Sequence, residues 1–255
     1  MAAYSGKKAI IIGGSHGIGL STARLLVDQG AQVLVTGRSP DPIRNAQEQL
    51  GDRGRVVSCD ITSSEAIAQL VPTTEEYFGA DTPIDLVFIN AGYAALERFD
   101  AVTDASFQKT MDTNVFGAFF VTQKLAPMVR DGGAIVFTTS VANQVGIPGM
   151  ALYSAAKAAV HSLVQTLAAE LSSRRVRVNA VSPGFVQTPT MGVANVSEAD
   201  RSAFEKEGVT STPLGRIGKP EEIARAVAFL GFEATFTTGS QIVLDGGLTS
   251  LQVHN

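Results

Sequence analysis

Apolar residues fall along this chain in two rhythms. Short runs rich in Val, Ile and Leu stand at residues 8–12, 32–36, 55–59, 84–89, 134–139, 177–181 and 240–244, and each ends in small or polar residues. Near-continuous rather than alternating apolar runs predict strands buried on both faces, as in a parallel sheet. Between them, residues 20–29, 40–50, 64–78, 106–129 and 151–173 carry helical spacing, and a last helix opens at Pro220 ahead of Glu221 and Glu222. Strands alternating with helices predict an α/β protein: a doubly wound parallel sheet of about seven strands, helices on both faces, ligands at the carboxyl ends of the strands. With no repeat and no linker, residues 1–255 read as one domain. Residues 183–212 have weak periodicity and many small or polar residues. A loop of that length in a compact domain is usually functional, and a substrate cover is expected at about 185–215.

The first strand runs into Gly13-Gly14-Ser15-His16-Gly17-Ile18-Gly19 and then a helix. Strand, glycine loop and helix is the context in which backbone approaches a pyrophosphate and the helix N-terminus faces it, so this loop predicts dinucleotide binding. The second strand ends in Gly37-Arg38-Ser39. An NAD site usually has a carboxylate there for the ribose hydroxyl; here glycine replaces it and a guanidinium follows. That favours NADP(H) over NAD(H), although Arg38 can also be read as an ordinary surface arginine. Asp60, after the third strand, stands either as an acceptor for the adenine amino group or in the cap of the next helix. Small residues in Asn90-Ala91-Gly92, after the fourth strand, leave room for a ring against the backbone.

Tyr153 and Lys157 lie four residues apart in an Ala-rich stretch with no helix breaker between them. On a helix that spacing puts both on one face, a turn apart. An ammonium beside a phenol is expected to lower its pKa and so make Tyr153 a working proton donor and acceptor near neutrality. Ser140 closes the run Ala134-Ile135-Val136-Phe137, where its hydroxyl can hold the same substrate oxygen. Asn114, with apolar neighbours, reads by itself as a structural hydrogen-bonding residue.

Composition narrows the setting. A net charge of -4, with 20 Lys and Arg against 24 Asp and Glu, argues against a nucleic-acid or anionic-membrane partner. One cysteine, Cys59, excludes a disulfide framework and a multi-thiolate metal site. Neither His161 nor His254 has partners at ligand spacing, so no catalytic metal is expected. No run reaches the ~18 apolar residues of a membrane span, and a cytoplasmic protein is expected.

Together these residues resemble the short-chain dehydrogenase/reductase family, over about residues 7–248. Gly13, Gly17 and Gly19 match its glycine motif, Asn90-Ala91-Gly92 its Asn-Ala-Gly motif, and Asn114, Ser140, Tyr153 and Lys157 its catalytic tetrad. Pro183-Gly184 with Thr188 match the segment that holds the nicotinamide carboxamide and pyrophosphate, and Asp245-Gly246-Gly247 the C-terminal signature. The resemblance implies a Rossmann fold and a cofactor site of Gly13, Ser15, His16, Gly17, Ile18, Gly19, Arg38, Ser39, Asp60, Ile61, Asn90, Ala91, Gly92, Tyr153, Lys157, Pro183, Gly184, Val186 and Thr188. It further implies that Tyr153 protonates the substrate oxygen, Ser140 binds it, Lys157 binds the nicotinamide ribose, and Asn114 holds a water relaying protons to Lys157. Ile12 and Ile89 depart from the family's Thr and Asn, which puts local rigidity in doubt. Apolar residues at Val141, Val145, Ile147, Met150 and Met191, with Val193, Val196 and Phe204, are expected to line a substrate pocket or simply to pack. A carbonyl reductase of hydrophobic ketones is the leading expectation. The alternatives are a 3-oxoacyl-acyl-carrier-protein reductase, with Arg130, Arg174 and Arg175 as a basic docking surface, an NAD-linked alcohol dehydrogenase, and a silent NADP(H) sensor. A homotetramer or homodimer built on the helices at 106–129 and 151–173 and on the C-terminal strand and helix is implied by the resemblance alone.

Overall fold

The computed structural model describes residues 2–189 and 198–251. Strands β1 (Lys8–Ile12), β2 (Gln32–Gly37), β3 (Gly54–Ser58), β4 (Ile84–Ile89), β5 (Val129–Thr138), β6 (Arg177–Pro183) and β7 (Gln241–Leu244) form one parallel sheet in the order β3-β2-β1-β4-β5-β6-β7. Helices α1 (Gly17–Asp28), α2 (Pro40–Leu50), α3 (Ser64–Ala68), α4 (Leu70–Phe78), α5 (Asp104–Met111), α6 (Gly117–Leu125), α7 (Ala151–Glu170), α8 (Glu198–Ser211) and α9 (Pro220–Ala228) connect the strands. Alternate strand residues face opposite ways. Ile10, Ile12, Val87, Ile89 and Phe137 therefore pack with Val121 of α6 and Val160 and Val164 of α7. Ile11, Leu86, Phe88 and Val136 pack with Leu26 of α1 and Ile223 and Val227 of α9. The strand order reverses between β1 and β4, which opens a crevice at their carboxyl ends.

Three expected elements differ. The helix at 64–78 is broken at Gln69, because Pro72 has no N–H for the Ala68 carbonyl and its ring crowds that oxygen. The helix at 106–129 begins earlier, at Asp104, behind a Thr103–Ser106 capping box, passes through a π-helical turn at Asp112–Phe116 and stops at Leu125. Pro127 follows, and β5 starts at Val129; Arg130, Asp131, Gly132 and Gly133 conceal its first half from a hydropathy reading. The expected long loop is in part a helix, since 198–211 form α8. Most of its positions are charged or polar, so its helical period is faint.

One cation ties β6 to the end of α9. The Arg177 guanidinium donates to the carbonyls of Leu230, Gly231 (2.7 Å) and Ala234 (3.1 Å). Carbonyls at a helix end have no intrahelical partner, and a half-buried cation satisfies them. Burial and neighbouring Arg130 pull the pKa of Arg177 down. Arg177→Ala should lower unfolding stability by about 2–4 kcal/mol, read as a lower urea midpoint. An unchanged midpoint would show that water serves those carbonyls equally well.

Candidate active site

The glycine loop is seated on β1, β2 and β4. Gly13 donates from its backbone to the Thr36 hydroxyl (3.1 Å) and Gly14 to the Thr36 carbonyl (2.8 Å). Gly13 has φ +77°, and a Cβ there would lie 2.5 Å from Ala91 Cα, so no other residue fits. The rigidity put in doubt by Ile12 and Ile89 is supplied otherwise. Asn90 and Ala91 N–H groups both donate to the Ile12 carbonyl (3.0 and 2.8 Å), and Asn90 Nδ2 donates to the Gly13 carbonyl (2.7 Å). The Thr138 hydroxyl in turn donates to Asn90 Oδ1 (3.0 Å). Both isoleucines go into the core instead.

A cleft of about 470 Å³ runs across the carboxyl ends of the strands. Its walls include Gly13, Ser15, His16, Gly17 and Ile18 of the loop, Arg38, Ser39, Asp60 and Ile61 at one end, and Asn90, Ala91 and Gly92 midway. Pro183, Gly184, Val186 and Thr188 close it from the β6 side. Gly19 is buried beneath the loop and does not line the cleft. Gly37 has no room for a side chain: a Cβ there would sit 2.7 Å from both Cβ and Oγ of Ser15. Asp60 does not cap α3, because Ser63 does so by accepting from Ala66 N–H (3.2 Å). Its carboxylate accepts instead from the Thr62 N–H (3.0 Å) and hydroxyl (2.8 Å). The Thr62 N–H is the main reason its pKa lies below the usual range, with the Arg38 charge a smaller one.

The opposite end brings Ser140, Tyr153 and Lys157 together. Ser140 Oγ accepts from Ala142 N–H (3.2 Å) and opens a short turn at Val141–Asn143, leaving its own proton to donate. Lys157 is 3 % exposed. Its Nζ donates to the Thr138 carbonyl (2.9 Å) and lies 5.7 Å from the Tyr153 ring centre. The expectation that Lys157 brings the phenol toward neutrality is not met. Burial pushes Tyr153 up to about 12, with the Ser140 hydroxyl pulling the other way, and burial brings Lys157 down to about 8. Taking both groups out of water disfavours the charged form of each.

Asn114 sits in the π-helical turn, 1 % exposed and off the cleft wall. Its Nδ2 donates to the carbonyls of Tyr93 (2.7 Å) and Thr110 (2.9 Å), and its Oδ1 accepts from Tyr93 N–H (3.2 Å). Both amide protons go to backbone carbonyls, so the side chain holds the 90–93 turn in place. Of the expected substrate residues, Val141, Ile147 and Met150 line the cleft and Val145 does not; Met191, Val193 and Val196 lie outside the described residues. Ala142, Met150, Ile147, Tyr153 and Phe204 form a small apolar cluster at this end. Tyr93, Phe185, Glu207 and Leu248 also line the cleft and were not foreseen. Tyr93 and Phe185 directly follow the Asn-Ala-Gly and Pro-Gly motifs, a usable signal; Glu207 has none without its helix face. Arg130 and Arg174 are not beside the cleft. They bind Asp85 (2.6 Å) at the amino end of β4 and Asp131 (3.1 Å) at that of β5, opposite the strand ends that form the site.

A glycine loop at the point of strand reversal and a Ser, Tyr and Lys at the next strand end define a dinucleotide-type oxidoreductase site. A family model described as enoyl-(acyl carrier protein) reductase matches residues 13–249. The chain is 34 % identical over 247 residues to an L-fucose dehydrogenase of Bos taurus, covering 96 % of this chain and 90 % of the relative. It is 35 % identical over 253 residues to an NADP-dependent (R)-specific alcohol dehydrogenase of Lentilactobacillus kefiri, covering 96 % and 97 %. A solved short-chain dehydrogenase/reductase of Serratia marcescens matches with a TM-score of 0.87 at 30 % identity, covering 97 % of this chain and 99 % of that one. The chain belongs to the short-chain dehydrogenase/reductase family, oxidoreductases acting on CH–OH and C=O groups. Among the described residues, no helix is long and apolar enough to cross a membrane.

Proposed function

We propose that the protein is an NADP(H)-dependent oxidoreductase interconverting a hydrophobic ketone and its secondary alcohol. The observation that carries this is the joining of Ser140, Tyr153 and Lys157 to an apolar cluster within the cleft that ends at Arg38. The residues fit the cofactor: backbone without side chains forms the floor, and Gly37 excludes on steric grounds the carboxylate an NAD site would carry. Arg38 is exposed there and free to bind a 2′-phosphate.

When bound, the nicotinamide supplies hydride to the carbonyl carbon. Ser140 donates its free proton to the carbonyl oxygen and stabilises the charge that develops there. Tyr153 then transfers its phenolic proton to that oxygen. Lys157, held by the Thr138 carbonyl, keeps a positive charge near the phenolate that remains. Phe204 of α8 covers the apolar end. Association through α6, α7 and β7 is part of the same proposal, supported by exposed Phe119, Phe120 and Val243. So is a cytoplasmic setting, on a sequence with one buried thiol.

The test is a fluorescence titration with NADPH and NADH, beside Arg38→Ala. NADPH should bind tighter by about 10–100-fold, the worth of a charge-assisted contact, and the variant should lose most of that preference. If NADH binds as well or better, the protein is not an NADP(H) enzyme. Tight NADPH binding without turnover of any ketone would make it a cofactor-binding sensor.

A further inference from the structure

The substrate end of the cleft carries charge on one wall. The Asp, Glu, His, Lys and Arg residues lining the cleft, among those described, are His16, Arg38, Asp60, Lys157 and Glu207. The first three stand on or beyond the glycine loop, and Lys157 is buried with its ammonium on the Thr138 carbonyl. Among the described side chains, that leaves Glu207 as the charged group on the cleft wall beside the apolar cluster. Residues 190–197 contain no ionisable side chain in sequence, so they add no compensating charge.

The backbone fixes where Glu207 stands. Phe204 sits three residues before it on α8, and i,i+3 spacing puts both on one helix face. Phe204 packs against the cluster of Ala142 and Met150, as Tyr153 and Ile147 do, and meets the Phe185 ring edge-on, with centres 5.0 Å apart. Gly208, the next residue, lies so close to Phe185 that a Cβ would be 2.8 Å from its ring. The helix is held against the β6 end at that turn, and Glu207 is held at the cleft with it. Glu198, Arg201, Glu205 and Lys206 of α8 do not line the cleft.

We propose that Glu207 sets the charge class of the substrate. Neutral ketones are accepted, and among charged ones a remote ammonium is preferred over a carboxylate or phosphate. A carboxylate at a partly apolar wall attracts a cation and repels an anion of similar reach, each by about three- to tenfold in affinity. Because the charge is remote from the reacting carbonyl, the effect belongs in KM and not in kcat.

This rests on the ketone-reductase proposal, and the test separates the two. Steady-state reduction by NADPH is measured for 4-methylacetophenone, 4-acetylbenzoate and 4-(aminomethyl)acetophenone, at low and high salt. The wild type should favour the ammonium over the carboxylate ketone by about 10–100-fold in kcat/KM, less at high salt. That ratio should fall toward unity in Glu207→Gln and invert in Glu207→Lys; ratios within one variant are insensitive to the fraction of active enzyme. Equal wild-type rates for the two charged ketones, or a ratio unmoved in Glu207→Gln, would overturn the role of Glu207 while the neutral ketone still reports a reductase. Failure to reduce any of the three would overturn the reductase proposal and this one with it.

Discussion

Replacing Tyr153 by Phe should remove catalysis and leave the fold in place. The ring packs against the cluster of Ala142 and Met150, and Phe retains that packing. The loss is confined to one hydroxyl, so thermal stability and NADPH affinity should stay near wild type. The rate of ketone reduction should fall by about 10²–10⁴-fold, the usual worth of a positioned proton donor. The pH dependence follows from the direction of the shifts. Burial holds the phenol at about 12, so below that value Tyr153 keeps its proton and remains an acid, and reduction keeps its donor across the neutral range. Alcohol oxidation needs the phenolate and should rise as pH rises. Lys157, brought down to about 8, loses its charge above that value, and its help to the phenolate fades there. A Tyr153→Phe protein that reduces ketones at wild-type rates would mean another group delivers the proton.

The second large effect is expected at a residue that touches no substrate. Asn114→Ala removes three hydrogen bonds at once, one buried to the Thr110 carbonyl and two part-buried to Tyr93. Each buried group left unpaired costs about 1–3 kcal/mol, so a total of roughly 2–4 kcal/mol is expected after local relaxation. For a chain of this size the melting temperature should drop by roughly 5–15 °C. Activity should fall with it, because Gly92, at the end of the 90–93 turn, lies between Asn114 and Lys157: a Cβ there would be 3.0 Å from Asn114 Oδ1 and 3.3 Å from Lys157 Nζ. Thermal melts beside steady-state kinetics decide the matter. A variant with unchanged melting and reduced kcat would favour the relay role that family resemblance implies over the structural role the hydrogen bonds support.

These two residues also mark how far the sequence could be read. Tyr153, Lys157 and Ser140 were legible because helical spacing and a strand end are properties of near neighbours. The glycine loop was legible for the same reason: a turn at φ +77° and a backbone approach demand glycine wherever they occur. The sheet was legible because strands buried on both faces leave near-continuous apolar runs, and β5 was missed in its first half where Gly132 and Gly133 interrupt that run. Arg38 and the missing carboxylate at Gly37 were visible as residue types. That no side chain fits at 37 emerged only once Ser15 was seen against it.

What stayed hidden depends on segments far apart in the chain. The value of the Tyr153 phenol is set by how much water the surrounding elements remove, and no spacing encodes that. Lys157 finds its partner on β5, and Asn114 finds Tyr93 across a turn twenty-one residues away. α8 is faint in sequence because its hold on the fold is a few contacts, Phe204 and Gly208 against Phe185, rather than a stripe of apolar residues. Glu207 is an ordinary helix glutamate until that docking turns it to the cleft. Local sterics and periodicity are written in adjacent residues, and they settle the class of fold and mark the candidate site residues. Burial, hydrogen-bond partners and the charge of the substrate wall arise from packing between distant elements, and only the folded chain decides them.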